Sequence, residues 1–186
     1  MTETELIIRL REGDEEAFRE LVNSYSDRVY NTVFSIIQQR EDAEDIAQDV
    51  FIRVFYSIKS FAGNAALSTW LYRIAVNLSL EHLRKQKTQK RFAIFRTLFG
   101  SDNELNAAID FYHPGVALDR KEDSALLFKA IKMLPPKQQA AFILNKTEGL
   151  SYTAIAEVME ITEAAVDALL QRAKQNLRKN ISRKNY

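Results

Sequence analysis

The sequence predicts an all-α protein: two small helical domains joined by a linker, the C-terminal one containing a helix-turn-helix. Three observations point there. Glycine and proline are scarce, at 5 and 3 of 186 residues, which leaves few places for tight turns. Apolar residues recur at three- and four-residue spacing through most of the chain, the period of an amphipathic helix. Between two such regions lies a stretch of about thirty residues with no stable period, and a structureless stretch of that length argues for a domain boundary. The expected division is 1–90, a linker over 91–120, and 121–186.

The elements follow in order. Residues 5–40 read as helix, with Phe18, Leu21, Val22, Tyr25, Val29, Tyr30, Val33, Phe34 and Ile37 in phase. Ala43, Ile46, Ala47, Val50, Phe51, Val54, Phe55 and Ile58 define the apolar face of the next helix. "SFAGNAALS", residues 60–68, is a loop by its Gly, Asn and Ser content. Ser68 is placed to cap a third helix running to about Lys87. "RFAIFRTLF", inside the linker, is compatible with a short helix. Beyond the linker, "KEDSALLFKAIKML" is amphipathic and stops at Pro135-Pro136. "KQQAAFILNKTEG" ends at Gly149, a suitable residue just past a helix end. "SYTAIAEVM" and "TEAAVDALLQRAKQNLRKN" are the last two helices.

Net charge is only +1, but its distribution is uneven. Residues 1–58 hold 6 bases and 13 acids, 59–99 hold 8 bases and 1 acid, 100–170 hold 6 bases and 11 acids, and 171–186 hold 6 bases and no acid. Two basic blocks between acidic ones suggest two contacts with polyanions. The chain has no cysteine, which fits a reducing cytoplasm and excludes disulfides and cysteine-based zinc sites. Its acidic beginning lacks the apolar core of a secretory signal. No apolar run approaches the ~18 residues of a membrane span. His82 and His113 read as a surface and a loop residue, not as metal ligands. Without a phosphate-cradling glycine loop or a paired-carboxylate signature, no enzyme activity, catalytic residue, cofactor, metal or small-molecule substrate is expected.

The last two helices have helix-turn-helix spacing. Ile155, Ala156, Met159, Ile161, Val166, Leu169 and Leu170 can supply the shared core, Glu160 occupies the turn position that often holds Gly, and Thr162 can cap the second helix. That helix would turn Glu163, Ala164, Ala165, Asp167, Ala168 and Gln171 toward a DNA groove. Carboxylates can accept from cytosine N4, and alanine can touch a thymine methyl. Bases come late, at Arg172, Lys174, Arg178, Lys179, Arg183 and Lys184, which suits phosphate contacts that position without specifying. The motif alone supports equally a plain four-helix module with a solvated basic tail. Upstream, Trp70, Arg73, Asn77 and Arg84 fall along one stripe of "STWLYRIAVNLSLEHLRKQK". Aromatics that stack on bases beside cations that hold phosphates suit single-stranded or distorted nucleic acid; a solvated stripe with Trp70 in the core is the alternative.

"EDAEDIAQDVFIRVFYSIKSF", then "LSTWLYRIAVN" and "LR", resemble the second conserved domain of bacterial sigma factors, specifically the small extracytoplasmic-function (ECF) group. "MLPPKQQAAFILNKTEGLSYTAIAEVMEITEAAVDALLQRAKQNLRK" resembles the fourth domain of the same group. The resemblance covers about residues 6–90 and 121–180, and both motifs stand in the family's order.

The resemblance implies the partners. Asp42, Asp45, Gln48 and Asp49 would dock on the clamp helices of the largest subunit of core RNA polymerase. The acids also form a stripe opposite the apolar face, complementary to a basic coiled coil; by spacing alone, acids favouring a helix N-terminus are the more ordinary reading. Residues 61–68 would capture a base flipped from the −10 element, with Asn64 as reader and Phe61 beside it. Lys59, Ser68, Trp70, Arg73, Asn77, Arg84 and Lys85 would support the melted strand. Residues 121–186 would bind the −35 element, through Thr162 and the residues named above, and also the flap of the second-largest subunit. The linker would thread toward the active-site channel, and an anti-sigma factor would regulate the protein. Departures are Leu67, where the family often has Phe, and Asp167 and Leu169, where many members carry bases. This recognition helix should therefore bind promoter DNA weakly alone. Two sites held on one polymerase raise each other's effective concentration, so each can be weak. A stand-alone helix-turn-helix regulator is the alternative, and it leaves 42–85 unexplained.

Overall fold

Gly13 divides the first helical stretch. The computed structural model describes residues 2–99 and 121–182, with side chains over 2–90 and 125–182. In it the run read as one helix over 5–40 is two, α1 (Glu3–Glu12) and α2 (Glu15–Ile37). Gly13 adopts φ 82° and donates to the Arg9 and Leu10 carbonyls, which closes α1. This left-handed geometry is cheap only for glycine. Asp14 then opens α2 by accepting from the Glu16 and Ala17 amides. The Ala17 amide, and next the Arg9 guanidinium, hold its carboxyl below the usual carboxylate range.

Next come α3 (Arg40–Ser57), a 3-10 turn (Ile58–Ser60) and α4 (Leu67–Phe99). The loop of 61–66 lies where expected. However, α4 starts one residue before Ser68, which therefore sits inside the first turn and does not cap it. It also runs through 91–99, so "RFAIFRTLF" is the end of a long helix rather than a separate short one. Residues 100–120 of the expected linker lie outside the described residues. The second unit comprises α5 (Lys121–Lys132), α6 (Pro136–Lys146), α7 (Tyr152–Met159) and α8 (Glu163–Ser182). Pro136 stands at the first position of α6, where its missing N–H has no helical partner to lose. The described residues contain helices and no strand.

In the first unit α2 packs against α3 and α4, and Leu21, Val29, Val33, Val50, Val54, Leu71 and Ala75 are buried. In the second, α6 and α7 pack against α8 around Ala140, Leu144, Ile155, Val166 and Leu170. Glu160 takes φ 54° at the turn, as a left-handed cap of α7. Thr162 accepts from the Ala165 amide at 3.2 Å. Thr162→Ala is expected to cost about 1 kcal/mol of stability, measured by chemical denaturation.

The two units are packed together. α2 meets α6, α4 meets α6 and α7, and the buried residues of both units form one apolar cluster. Among the described residues five polar side chains are buried, and three of them, Thr32, Gln38 and Gln139, lie at this seam; each is satisfied across it, as buried polar groups require. Gln139 Nε2 donates to the Ile36 carbonyl at 2.9 Å. Gln38 Nε2 donates to the Phe128 carbonyl at 3.1 Å. Glu148 accepts from Thr32 Oγ1 on one oxygen and from the Tyr72 hydroxyl on the other, both at 2.9 Å. Burial first, and then the Glu148 charge, push the Tyr72 hydroxyl well above the ordinary tyrosine range.

Candidate nucleic-acid interface

The loop expected to read DNA is anchored at its base and open at its tip. The Phe61 amide bonds to the Ile58 carbonyl, and the ring is only 6% exposed, its centroid 4.8 Å from that of Trp70. Phe61 therefore faces the interior. Gly63 makes the turn at φ 76°, and Asn64 beside it is exposed. Lys59 is exposed on the 3-10 turn, and Ser68 is half-buried. Two groups from α1 reach the loop. The Arg11 guanidinium donates to the Phe61 carbonyl, and Glu3 Oε1 accepts from the Leu67 amide at 3.0 Å.

The expected stripe does lie along α4. Trp70 is half-buried against the core, while Asn77, Arg84 and Lys85 are exposed. Lys85 pairs with Glu81 one turn earlier at 2.9 Å. Arg73 is engaged by the second unit: its Nη2 donates to the Glu157 carbonyl at 2.8 Å, and its Nη1 lies 3.4 Å from the Glu160 carboxylate. Its buried Nε has no hydrogen-bond partner among the described residues. Two acidic residues of the helix-turn-helix thus stand at a base that the resemblance assigns to DNA.

On α3, Asp45, Gln48 and Asp49 are exposed along one face. Asp42 is turned toward α4, where Gln86 Nε2 donates to it at 3.2 Å and His82 lies at 3.3 Å. The exposed face continues into side chains that sequence reasoning did not select. Ile52 and Tyr56 are 53% and 78% exposed. Phe55, assigned above to the apolar face, is 54% exposed, its ring edge-on to Phe18 at 5.4 Å and to Tyr56 at 5.5 Å. The signal was present: Ile52 and Tyr56 are large apolar residues out of phase with the core positions, Ile52 seven, four and three residues after Asp45, Gln48 and Asp49, and Tyr56 four after Ile52.

On α8, Glu163, Ala164, Gln171, Arg172, Lys174 and Arg178 are exposed, as is the capping Thr162; Ala165, Asp167 and Ala168 are half-buried. Both acids at the head of the helix have local partners. Glu163 accepts from Thr153 Oγ1, and Asp167 from Gln171 Nε2, each at 2.8 Å. Among the described residues no three His, Cys, Asp or Glu side chains are grouped to hold a metal ion, and no helix is long and apolar enough to cross a membrane.

The chain is similar to known proteins in sequence and in fold. The family model of Sigma-70 region 2 matches residues 21–89, and that of Sigma-70 region 4 matches residues 124–177. The ECF RNA polymerase sigma factor SigW of Bacillus subtilis is 32% identical, with 94% of each chain covered. The RNA polymerase sigma-H factor of Pseudomonas aeruginosa is 32% identical over 94% of this chain and 91% of that one. The ECF RNA polymerase sigma-E factor of Escherichia coli K12 is 30% identical over 94% and 92%. Among solved structures, CnrH in complex with the cytosolic domain of CnrY shares the fold at a TM-score of 0.68 and 18% identity, with 98% of each chain covered. RpoE of Bartonella quintana, in complex with the anti-sigma factor NepR, has a TM-score of 0.63 at 21% identity, with 89% of this chain and 96% of that one covered. With both regions matched in order, and relatives at 30% identity or above aligned along almost their whole length, the chain belongs to the sigma-70 family of RNA polymerase sigma factors, in its ECF group.

Proposed function

We propose that this sigma factor docks on core RNA polymerase through the exposed face of α3 and opens the −10 element with the loop of 61–66, while α8 holds the −35 element. One combination carries the reading. A single chain bears an exposed acid-and-apolar face on α3 and a loop anchored by Phe61 that leaves Asn64 exposed. Asp45, Gln48, Asp49, Ile52 and Tyr56 supply the docking face. Asn64 reads the flipped base. Extruding a base costs a few kcal/mol, which the contacts of the assembled polymerase offset. Trp70, Arg73, Asn77, Arg84 and Lys85 carry the melted strand. The factor directs the polymerase's chemistry in the cytoplasm and performs none itself.

Elements named −10 and −35 lie roughly 25 base pairs apart, about 85 Å of B-DNA at 3.4 Å per pair. With Glu160 in contact with Arg73, the two units cannot reach both elements at once. The packed arrangement is therefore the unbound state, and promoter binding requires the seam to part. An anti-sigma factor that favours the packed arrangement would silence the protein, and one structural relative, RpoE of Bartonella quintana, is solved in complex with the anti-sigma factor NepR.

Run-off transcription with bacterial core polymerase on fragments of the source genome tests the reading. New start sites should appear only when the protein is added, with two shared upstream elements. A protein that neither binds core nor changes initiation, yet binds duplex DNA alone, would be a stand-alone regulator instead.

A further inference from the structure

We propose that α1 is a brace for the DNA-reading loop, with Glu3 and Arg11 as positioning residues for base capture. The inference rests on the reading above, that 61–66 take up a flipped base. Residues 62–66 are Ala, Gly, Asn, Ala and Ala. Such a loop has almost no side chains with which to stiffen itself, and its order must come from its ends. Both ends are held by the same helix. Arg11 donates to the Phe61 carbonyl where the loop begins, and Glu3 Oε1 accepts from the Leu67 amide, at 3.0 Å, where it ends.

The second contact replaces a missing cap. The first amides of a helix have no partner within it. Ala66 precedes α4 and has no side-chain oxygen to offer, and Ser68 falls inside the first turn. The Glu3 carboxylate takes the role from another element, and its charge is favourable at the positive end of α4. α1 is itself well seated. Leu6 and Leu10 are buried in the core, and a capping box between Thr2 and Glu5 secures its first turn. Glu3 and Arg11 are about 12 Å apart along the helix, at 1.5 Å per residue, so one rigid rod sets the span of the loop. A loop held open in its capturing shape loses less freedom when the base arrives.

The test uses holoenzyme reconstituted from core polymerase and full-length variants, on duplex promoters carrying either the preferred or a substituted base at the flipped position. Open complexes are read by permanganate reactivity of the −10 thymines. Glu3→Ala and Arg11→Ala should each lower open-complex formation on the preferred promoter by about tenfold, the scale of one hydrogen bond to a charged group. They should also narrow the preference between the two bases, while core affinity stays within about twofold, as for exposed residues away from the docking face. Arg11→Lys and Glu3→Asp should restore part of the preference, which a general loss of stability would not do. Asn64→Ala separates the two ideas. If it erases the base preference while Glu3→Ala and Arg11→Ala leave it at the wild-type level, the brace is wrong and the loop reading stands. If Asn64→Ala also leaves the preference intact, the loop reading fails and the brace with it. Should Glu3→Ala unfold the domain, Arg11→Ala and Glu3→Gln decide the matter alone.

Discussion

Asp45→Lys/Asp49→Lys and, separately, Tyr56→Ala are each expected to weaken binding to core polymerase by about 30-fold or more, the effect of losing an interface hot spot of roughly 2 kcal/mol. The charge reversal replaces attraction with repulsion along the whole stripe. Tyr56 is the most exposed large apolar side chain on that face, at 78%, and aromatic anchors of this kind dominate interfaces once water is excluded. None of the three side chains is buried in the free protein, so thermal stability should hold. Fluorescence anisotropy of labelled protein titrated with core polymerase gives the affinity. Raising salt should weaken the wild type more than the reversed variant, because screening acts on the acidic stripe. Wild-type affinity in both variants would move the docking face elsewhere.

Glu148→Ala is expected to open the seam. Its carboxylate accepts one bond from each side of α2 and α4, from Thr32 and Tyr72. Removing it leaves the Tyr72 hydroxyl buried without its acceptor, at a cost of about 1.5–3 kcal/mol. That shifts the packed-to-open ratio by roughly 10- to 150-fold, and it releases Arg73 from Glu157 and Glu160. Paired fluorophores on α2 and α6, or small-angle scattering, should report a longer mean separation. Tyr72→Phe added to Glu148→Ala should open the seam no further, because the two act through one bond. An unchanged distance distribution in Glu148→Ala would show that apolar packing and the remaining seam contacts of Gln38, Gln139 and Arg73 hold the units without it.

The same contact sets a pH response. The Tyr72 hydroxyl lies above its ordinary value of 10.0, chiefly through burial and then through Glu148. A raised folded value means that its contribution to stability is complete below pH ~10 and is lost as pH rises through the folded value. The seam should therefore loosen in strong alkali, with Tyr72 among the last tyrosines to ionise. Glu148→Ala should bring that ionisation to lower pH. A spectrophotometric tyrosinate titration of the two proteins reads the difference.

Much of the fold was legible beforehand because helices are local objects. Apolar phasing and the Thr162 cap involve neighbours within about four positions, and they located α3, α6, α7 and α8. Periodicity failed at Gly13, where a one-residue stop left the phase nearly unbroken. It failed again at 91–99, where a mixed apolar and basic run hid the continuation of α4. The helix-turn-helix core was readable for the same local reason: Ile155, Val166 and Leu170 are buried as their spacing requires. The exposed face of α3, proposed above as the docking face, was half readable. Its acids stood out by charge, whereas the exposure of Ile52 and Tyr56 appeared only in the packed structure.

By itself, the sequence determined the helical class, the order of the two sigma regions, the alternating charge and the identity of the exposed bases on α8. Only the tertiary structure decided that Phe61 turns inward, that Glu3 caps a helix beginning 64 residues later, and that Glu148 joins Thr32 across 116 residues. The physical reason is range. Propensity, phasing and capping act between residues a turn apart, and the chain displays them directly. Which distant carbonyl or amide a side chain meets depends on how packed helices bring their faces together, and that is settled by the whole core at once.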